Sequence, residues 1–179
     1  MVERELVFTG IGGQGVQLAA QVIARAAILE GREVQVFGSY GGMMRGGNTE
    51  ATVVIGDAVV ESPPTVASTW SAILMHHDYV ETTLRLLRPG TIVFRNSTVY
   101  EGEVDVEGIE MIDVPATELA VGVGNIMTAS MVMTGAYARR TGLVERPSLE
   151  AAVSAALPSY RTKHIELNVT ALRTGWDAC

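Results

Sequence analysis

A chain of 179 residues, 47% of them hydrophobic, is long enough for one domain with its own core and too short for two. Its formal charge of −7 is the wrong sign for a nucleic-acid surface, and no apolar run reaches the roughly 20 residues that a membrane span needs. The sole cysteine, Cys179, is the last residue, so this chain alone holds no disulfide framework, four-cysteine zinc site or iron–sulfur cluster, and a loose terminal thiol is expected.

Glu3, Arg4 and Glu5 lead straight into an apolar strand pattern from Glu5 to Thr9, without the marks of a signal peptide, which points to a soluble cytoplasmic protein. Gly10-Ile11-Gly12-Gly13-Gln14-Gly15 follows as a tight turn. From Val16 to Leu29 the residues Val16, Ala19, Ala20, Ile23 and Ala27 keep the i, i+3, i+4 rhythm of a helix lying on a sheet, ended by Gly31. Glu33 to Phe37 supplies a second strand, so the chain opens as a βαβ unit of a parallel sheet. Gly38 to Asn48 is too rich in glycine for the interior of a helix or strand.

Thr49 to Ile55 alternates, and Gly56-Asp57 is expected to turn it back into Ala58 to Glu61 as an antiparallel hairpin, stopped by Ser62-Pro63-Pro64. Ala72 to Met75 reads as a buried strand. Asp78 with Glu81 has the spacing of a capping box and predicts a helix running to Leu87. Strands at Thr91 to Phe94 and Glu110 to Val114 bring the sheet to about six or seven. Helices are expected over Asn125 to Arg140, stopped by Gly142, over Ser148 to Leu157 behind Pro147, and over about Ile165 to Thr174. The pattern is that of an α/β, Rossmann-like three-layer fold, its sheet mostly parallel with an antiparallel hairpin, in a single domain spanning 1–179.

The chemistry concentrates in the glycine turns. Gly10, Gly12 and Gly15 fit G-x-G-x-x-G, in which glycine lets the backbone approach a ligand and the following helix offers unpaired N–H groups to an anion. A nicotinamide dinucleotide fold also needs an acid at the end of the second strand. Gln35, Val36, Phe37 and Gly38 stand there and Glu33 comes too early, so that cofactor is disfavoured. No Lys-Ser/Thr pair closes the turn as in a nucleotide-hydrolysing P-loop. Two uses remain open for these glycines: close packing of helix on sheet, or contact with an anion or a partner.

Arg45, followed by Gly46 and Gly47, has a forked guanidinium suited to carboxylate or phosphate, with an internal ion pair as the plainer use. Met43 and Met44 suit either an interface or a folded-over loop. His76-His77 follow a strand; with no acidic or cysteine partner read at metal spacing, a structural role is favoured. Met127, Met131 and Met133 read as helix core. There is no Gly-x-Ser-x-Gly elbow and no acid pair spaced for proton transfer, so a stand-alone enzyme is not expected.

Taken together, Gly-x-Gly-Gly-Gln-Gly at 10–15, Ser39-Tyr40-Gly41 leading to Arg45-Gly46-Gly47, and Ser62-Pro63 resemble the gamma subunit of 2-oxoacid:ferredoxin oxidoreductases. Arg88-Pro89-Gly90, Asn96-Ser97, Ala116-Thr117-Glu118-Leu119-Ala120 and Gly124-Asn125 extend the resemblance over nearly the whole chain. The chain departs from the usual pattern at Gly41-Gly42-Met43-Met44, where relatives carry Gly-Pro-Glu, and at Ser130, where asparagine is common; the related small subunit of indolepyruvate oxidoreductase shares both glycine motifs.

The resemblance implies an accessory subunit of a complex that oxidatively decarboxylates a 2-oxoacid to an acyl-CoA and reduces ferredoxin or a similar acceptor. It implies alpha and beta partners holding thiamine diphosphate and Mg, and a delta-type partner holding iron–sulfur clusters. This chain would carry no catalytic residue and no metal of its own. Gly12, Gly13, Gln14, Gly15, Arg45, Gly46 and Gly47 become the candidate contacts to CoA or to another subunit, the alternative being an independent phosphate- or CoA-binding module.

Overall fold

A computed structural model describes residues 2–41, 46–61, 63, 65–157 and 162–179. Six strands form one sheet: β1 (Glu3–Ile11), β2 (Glu33–Tyr40), β3 (Asn48–Gly56), β4 (Ser71–Leu74), β5 (Ile92–Asn96) and β6 (Glu110–Val114), in the order β2-β3-β1-β4-β5-β6. The junctions β1–β4, β4–β5 and β5–β6 are parallel, and β3 runs antiparallel to both its neighbours. Among the described residues there are six α-helices, α1 (Val16–Leu29), α2 (Glu81–Leu84), α3 (Ala116–Val123), α4 (Ala129–Thr141), α5 (Arg146–Ala156) and α6 (Thr162–Asp177).

The opening unit differs from the simple βαβ expectation. β1 and β2 are parallel and joined through α1, but β3 is inserted between them, with Glu3 and Glu33 both opposite Gly56. The reason lies in β3 itself, whose Ala51, Val53, Val54 and Ile55 are all buried and need a neighbour on each edge and cover on each face. The antiparallel hairpin is therefore β2–β3, and the hairpin expected from Thr49 through Glu61 is not formed. The stretch after Gly56 is a strap instead: Gln35 Nε2 donates to Val60 O at 3.1 Å and Glu61 N to Glu3 Oε1 at 2.8 Å.

The helix expected from Asp78 to Leu87 shrinks to α2. Tyr79 sits at φ 62°, in the left-handed region, which a helical run from Asp78 cannot contain, and Asp78 N is turned to donate to His76 Nδ1 at 3.0 Å. At the other end, Leu86 N and Leu87 N bond to carbonyls three residues back. Periodicity missed α3 altogether. α4 begins after a 3-10 turn at Ile126–Thr128, capped by Asn125, whose Oδ1 accepts from Met127 N at 3.0 Å. Gly142 closes it at φ 63°.

The two sheet faces are covered unequally. Leu6, Phe8, Val53, Ile73 and Phe94 pack under α1 and α4, with α5 against α1 and α6 against α4, in one large core. Ala72, Leu74 and Val93 point the other way, into a small core closed by Val80, Leu87 and the segment after β5. Met131 and Met133 are fully buried in the large core, as expected; Met127 is not, being 58% exposed in the 3-10 turn ahead of α4.

Candidate functional site

β1, β4 and β5 end side by side. From β1 the chain leaves over α1 toward one edge of the sheet, while β4 and β5 lie on the other side, so the order reverses between β1 and β4. In an open α/β sheet the crevice outside the carboxyl ends of the strands at such a point is where ligands gather. A crevice of about 640 Å³ stands there. Gly12, Gly13 and Gln14 form one wall, Val99 and Thr117 another, and Ile126, Met127 and Ala129 the third. A smaller hollow of about 270 Å³ lies on the other side of the turn, over the first residues of α1.

The two glycine turns meet. Gly12 N donates to Gly47 O at 2.8 Å and Gly46 N donates to Gly12 O at 3.1 Å, while Gly41 N closes the base of the β2–β3 hairpin on Asn48 O at 2.7 Å. Gly12, Gly13, Gln14, Gly15, Gly46 and Gly47 thus form one clasped unit. Arg45 lies outside the described residues, as do Met43 and Met44.

Gln14 turns inward. Its Oε1 accepts from Ile11 N at 2.9 Å and its Nε2 donates to Met75 O at 3.4 Å, so the carboxamide ties the end of β1 to the end of β4 across the switch point. Asn96, fully buried at the end of β5, reaches the same Met75 carbonyl at 3.4 Å and holds Thr117 through both ends of its amide, at 2.8 and 3.2 Å. Two carboxamides therefore fix the crevice floor from β1 to α3. Asn96 was missed as a site residue by the sequence reading; a lone carboxamide ending an apolar strand is the signal that could have found it. Gln17 works likewise on the edge strands, donating to Glu50 O at 2.8 Å.

Gly15 precedes α1 at φ 78°, and a Cβ there would stand 2.6 Å from Ser130 Oγ. Ser130, noted as a departure from the usual pattern, is thus the residue on which the glycine turn rests. His76 and His77 do have an acidic partner, against the sequence expectation: Asp78 Oδ2 is 3.5 Å from His76 Nδ1, and Asp78 Oδ1 is 3.7 Å from His77 Nε2. An acid adjacent in sequence does not look like metal spacing; the bend through residues 76–78, closed by the Asp78 N donation to His76 Nδ1, makes it so.

The crevice offers backbone, carboxamide, one hydroxyl and apolar side chains, a set that binds and positions. The family model for pyruvate ferredoxin/flavodoxin oxidoreductase matches residues 5–178. The chain belongs to that family. The 2-oxoglutarate synthase subunit KorC of Methanothermobacter marburgensis is 34% identical to this family member over 181 residues, covering 97% of this chain and 95% of the relative. A crystal structure of a keto/oxoacid ferredoxin oxidoreductase gamma subunit from Geobacter sulfurreducens superposes with a TM-score of 0.79 at 26% identity, covering 98% and 97% of the two chains. A 2-oxoglutarate:ferredoxin oxidoreductase from Magnetococcus marinus shares the fold, with a TM-score of 0.88 at 18% identity, over 99% of this chain and 31% of that one. The family member is a gamma-type subunit of an oxoacid:ferredoxin oxidoreductase.

Proposed function

We propose that this gamma-type subunit builds the CoA side of a complex that converts a 2-oxoacid to its acyl-CoA, with the chemistry performed on partner chains. The clasp of the two glycine turns at the switch-point crevice carries the reading. The residues present fit such a ligand: Gly12 to Gly15 bring backbone to the positive end of α1, which suits a phosphate, and Val99, Ile126 and Met127 suit an apolar thiol arm. Gln14, itself part of the crevice wall, and Asn96 hold this surface in register through their carboxamides. Arg45, leading into Gly46 and Gly47, is assigned the forked contact to a phosphate or to a partner carboxylate.

Thiamine diphosphate and Mg are assigned to alpha and beta partners and iron–sulfur clusters to a delta-type partner, in the cytoplasm. Among the described residues no helix is long and apolar enough to cross a membrane. A partner surface is suggested by the apolar groove of about 500 Å³ between α1, β2 and α5, at the sheet edge. Co-expression of the chain with the other subunits tests the whole reading. We expect 2-oxoacid- and CoA-dependent reduction of the acceptor by the complex, none by the isolated chain, and at least a tenfold loss for Arg45→Ala, equivalent to about 1.4 kcal/mol. A chain that stays monomeric, binds CoA by itself and draws no partners would instead establish an independent binding module.

A further inference from the structure

The loop leaving β4 carries His76, His77 and Asp78 in succession and folds so that one ligand atom of each lies within 4.8 Å of the others. His76 Nδ1 and His77 Nε2 flank the Asp78 carboxylate at 3.5 and 3.7 Å. Two ligands each about 2.1 Å from one tetrahedral ion stand roughly 3.4 Å apart; the imidazoles meet different oxygens of the carboxylate, and an ion would draw in three ligand atoms that already lie within 4.8 Å of one another. The other nitrogen of His77, Nδ1, lies 3.2 Å from Val99 O. A proton placed there donates to that carbonyl and leaves the Nε2 lone pair toward Asp78, which is how backbone carbonyls orient metal-ligating imidazoles.

In this tautomer Glu101 N, 3.3 Å from the same Nδ1, makes no bond to it. His76 Nδ1 accepts from Asp78 N at 3.0 Å, with the carboxylate Oδ2 at 3.5 Å, and an ion would take that lone pair from the amide. Both rings are partly buried, tilted by 36° with centroids 4.3 Å apart, whereas Asp78 is exposed. Tyr79, which follows Asp78, is the one non-glycine among the described residues in the left-handed region. Such a conformation persists where its surroundings impose it, and it gathers at functional loops.

We propose that His76, His77 and Asp78 form a binding site for a divalent transition-metal ion of the zinc type, with its remaining coordination open to water. Two imidazoles and one carboxylate suit zinc, nickel or copper, whereas magnesium and calcium take oxygen. Through Val99 the ion would pin the loop after β4 to the segment after β5, on the wall of the crevice. The site is distinct from the glycine clasp and needs no partner chain.

The test uses the full-length chain without a histidine tag, stripped with a chelator and titrated with Zn²⁺ by calorimetry and with Co²⁺ by visible absorption. One equivalent of each is expected, with the Co²⁺ bands of a low-symmetry nitrogen–oxygen site. Affinity should fall roughly tenfold or more in His76→Asn/His77→Asn and in Asp78→Asn. It should be unchanged in His164→Asn and Cys179→Ser, which remove the remaining histidine and the sole cysteine. Circular dichroism of each variant separates loss of a ligand from loss of fold, and the exposed Asp78 is the substitution that folding tolerates best. Equal Zn²⁺ affinity in the wild type and Asp78→Asn, or affinity that follows Cys179, would overturn the site.

Discussion

Gly15 carries two demands at one position, a left-handed φ of 78° and a neighbour, Ser130 Oγ, 2.6 Å from where a Cβ would stand. Gly13, two residues earlier, has φ 106° and open space around the same point. Alanine at Gly13 therefore meets only the backbone penalty, about 1–2 kcal/mol. At Gly15 the buried Ser130 hydroxyl must also move, which brings the expected loss to roughly 2–3 kcal/mol. Urea unfolding of Gly13→Ala, Gly15→Ala and Gly15→Ala/Ser130→Ala measures the difference. The double variant should recover about 1 kcal/mol relative to Gly15→Ala; no recovery would mean that Ser130 is not the neighbour that requires glycine.

Glycine inside a helix has the opposite meaning. Gly135 of α4 and Gly175 of α6 lie where the two helices press backbone on backbone: a Cβ on Gly135 would collide with Leu172 O and stand 2.8 Å from Trp176 N, and one on Gly175 would collide with Val132 O and stand 2.9 Å from Val132 Cα. Helix propensity alone favours alanine by about 1 kcal/mol. Overpacking against rigid backbone costs about 1–3 kcal/mol or more, so each Gly→Ala variant should lower the melting temperature despite its better propensity. The sequence could not reveal this pairing, because close helix approach depends on which helix lies opposite. What it did reveal follows the same rule: α1 and β6 were legible to the residue, since their periodicity and flanking glycines are local signals. The β3 insertion, the strap at 58–61 and the Tyr79 turn were not, because each is decided by a partner distant in sequence or by a backbone conformation that tyrosine rarely adopts. The glycine turns were legible as motifs, but their clasp and the inward turn of Gln14 needed the third dimension.

At the scale of the molecule, the outer strands and helices are tied by ion pairs. Arg95 grips Asp113 with two hydrogen bonds, 2.7 and 2.9 Å, across the β5–β6 register, and Arg173 grips Glu150 between α6 and α5. These hydrogen bonds hold both carboxyls below their ordinary titration range. A depressed carboxylate contributes stability that is present above its unfolded pKa and lost as pH falls through the folded one, so stability should decline from about pH 4 downward. Asp113→Asn should blunt that decline modestly, since the pair is partly exposed. The main helices cover one sheet face and leave the β2 edge bare, where Leu29 is 60% and Val36 43% exposed beside Ile28 and the α1–α5 groove. A sheet edge with an apolar flank invites pairing with another chain unless one already covers it. Leu29→Glu/Val36→Lys should leave the isolated chain's stability within about 0.5 kcal/mol per site, because exposed side chains contribute little to folding. The same variant should reduce self-association of the isolated chain and lower partner recovery in co-expression at least tenfold, whereas Val59→Glu, at an isolated position 71% exposed, should do neither. If both variants assemble like the wild type, the partner contact lies elsewhere, and the crevice rim at Ile126 and Met127 becomes the surface to charge next.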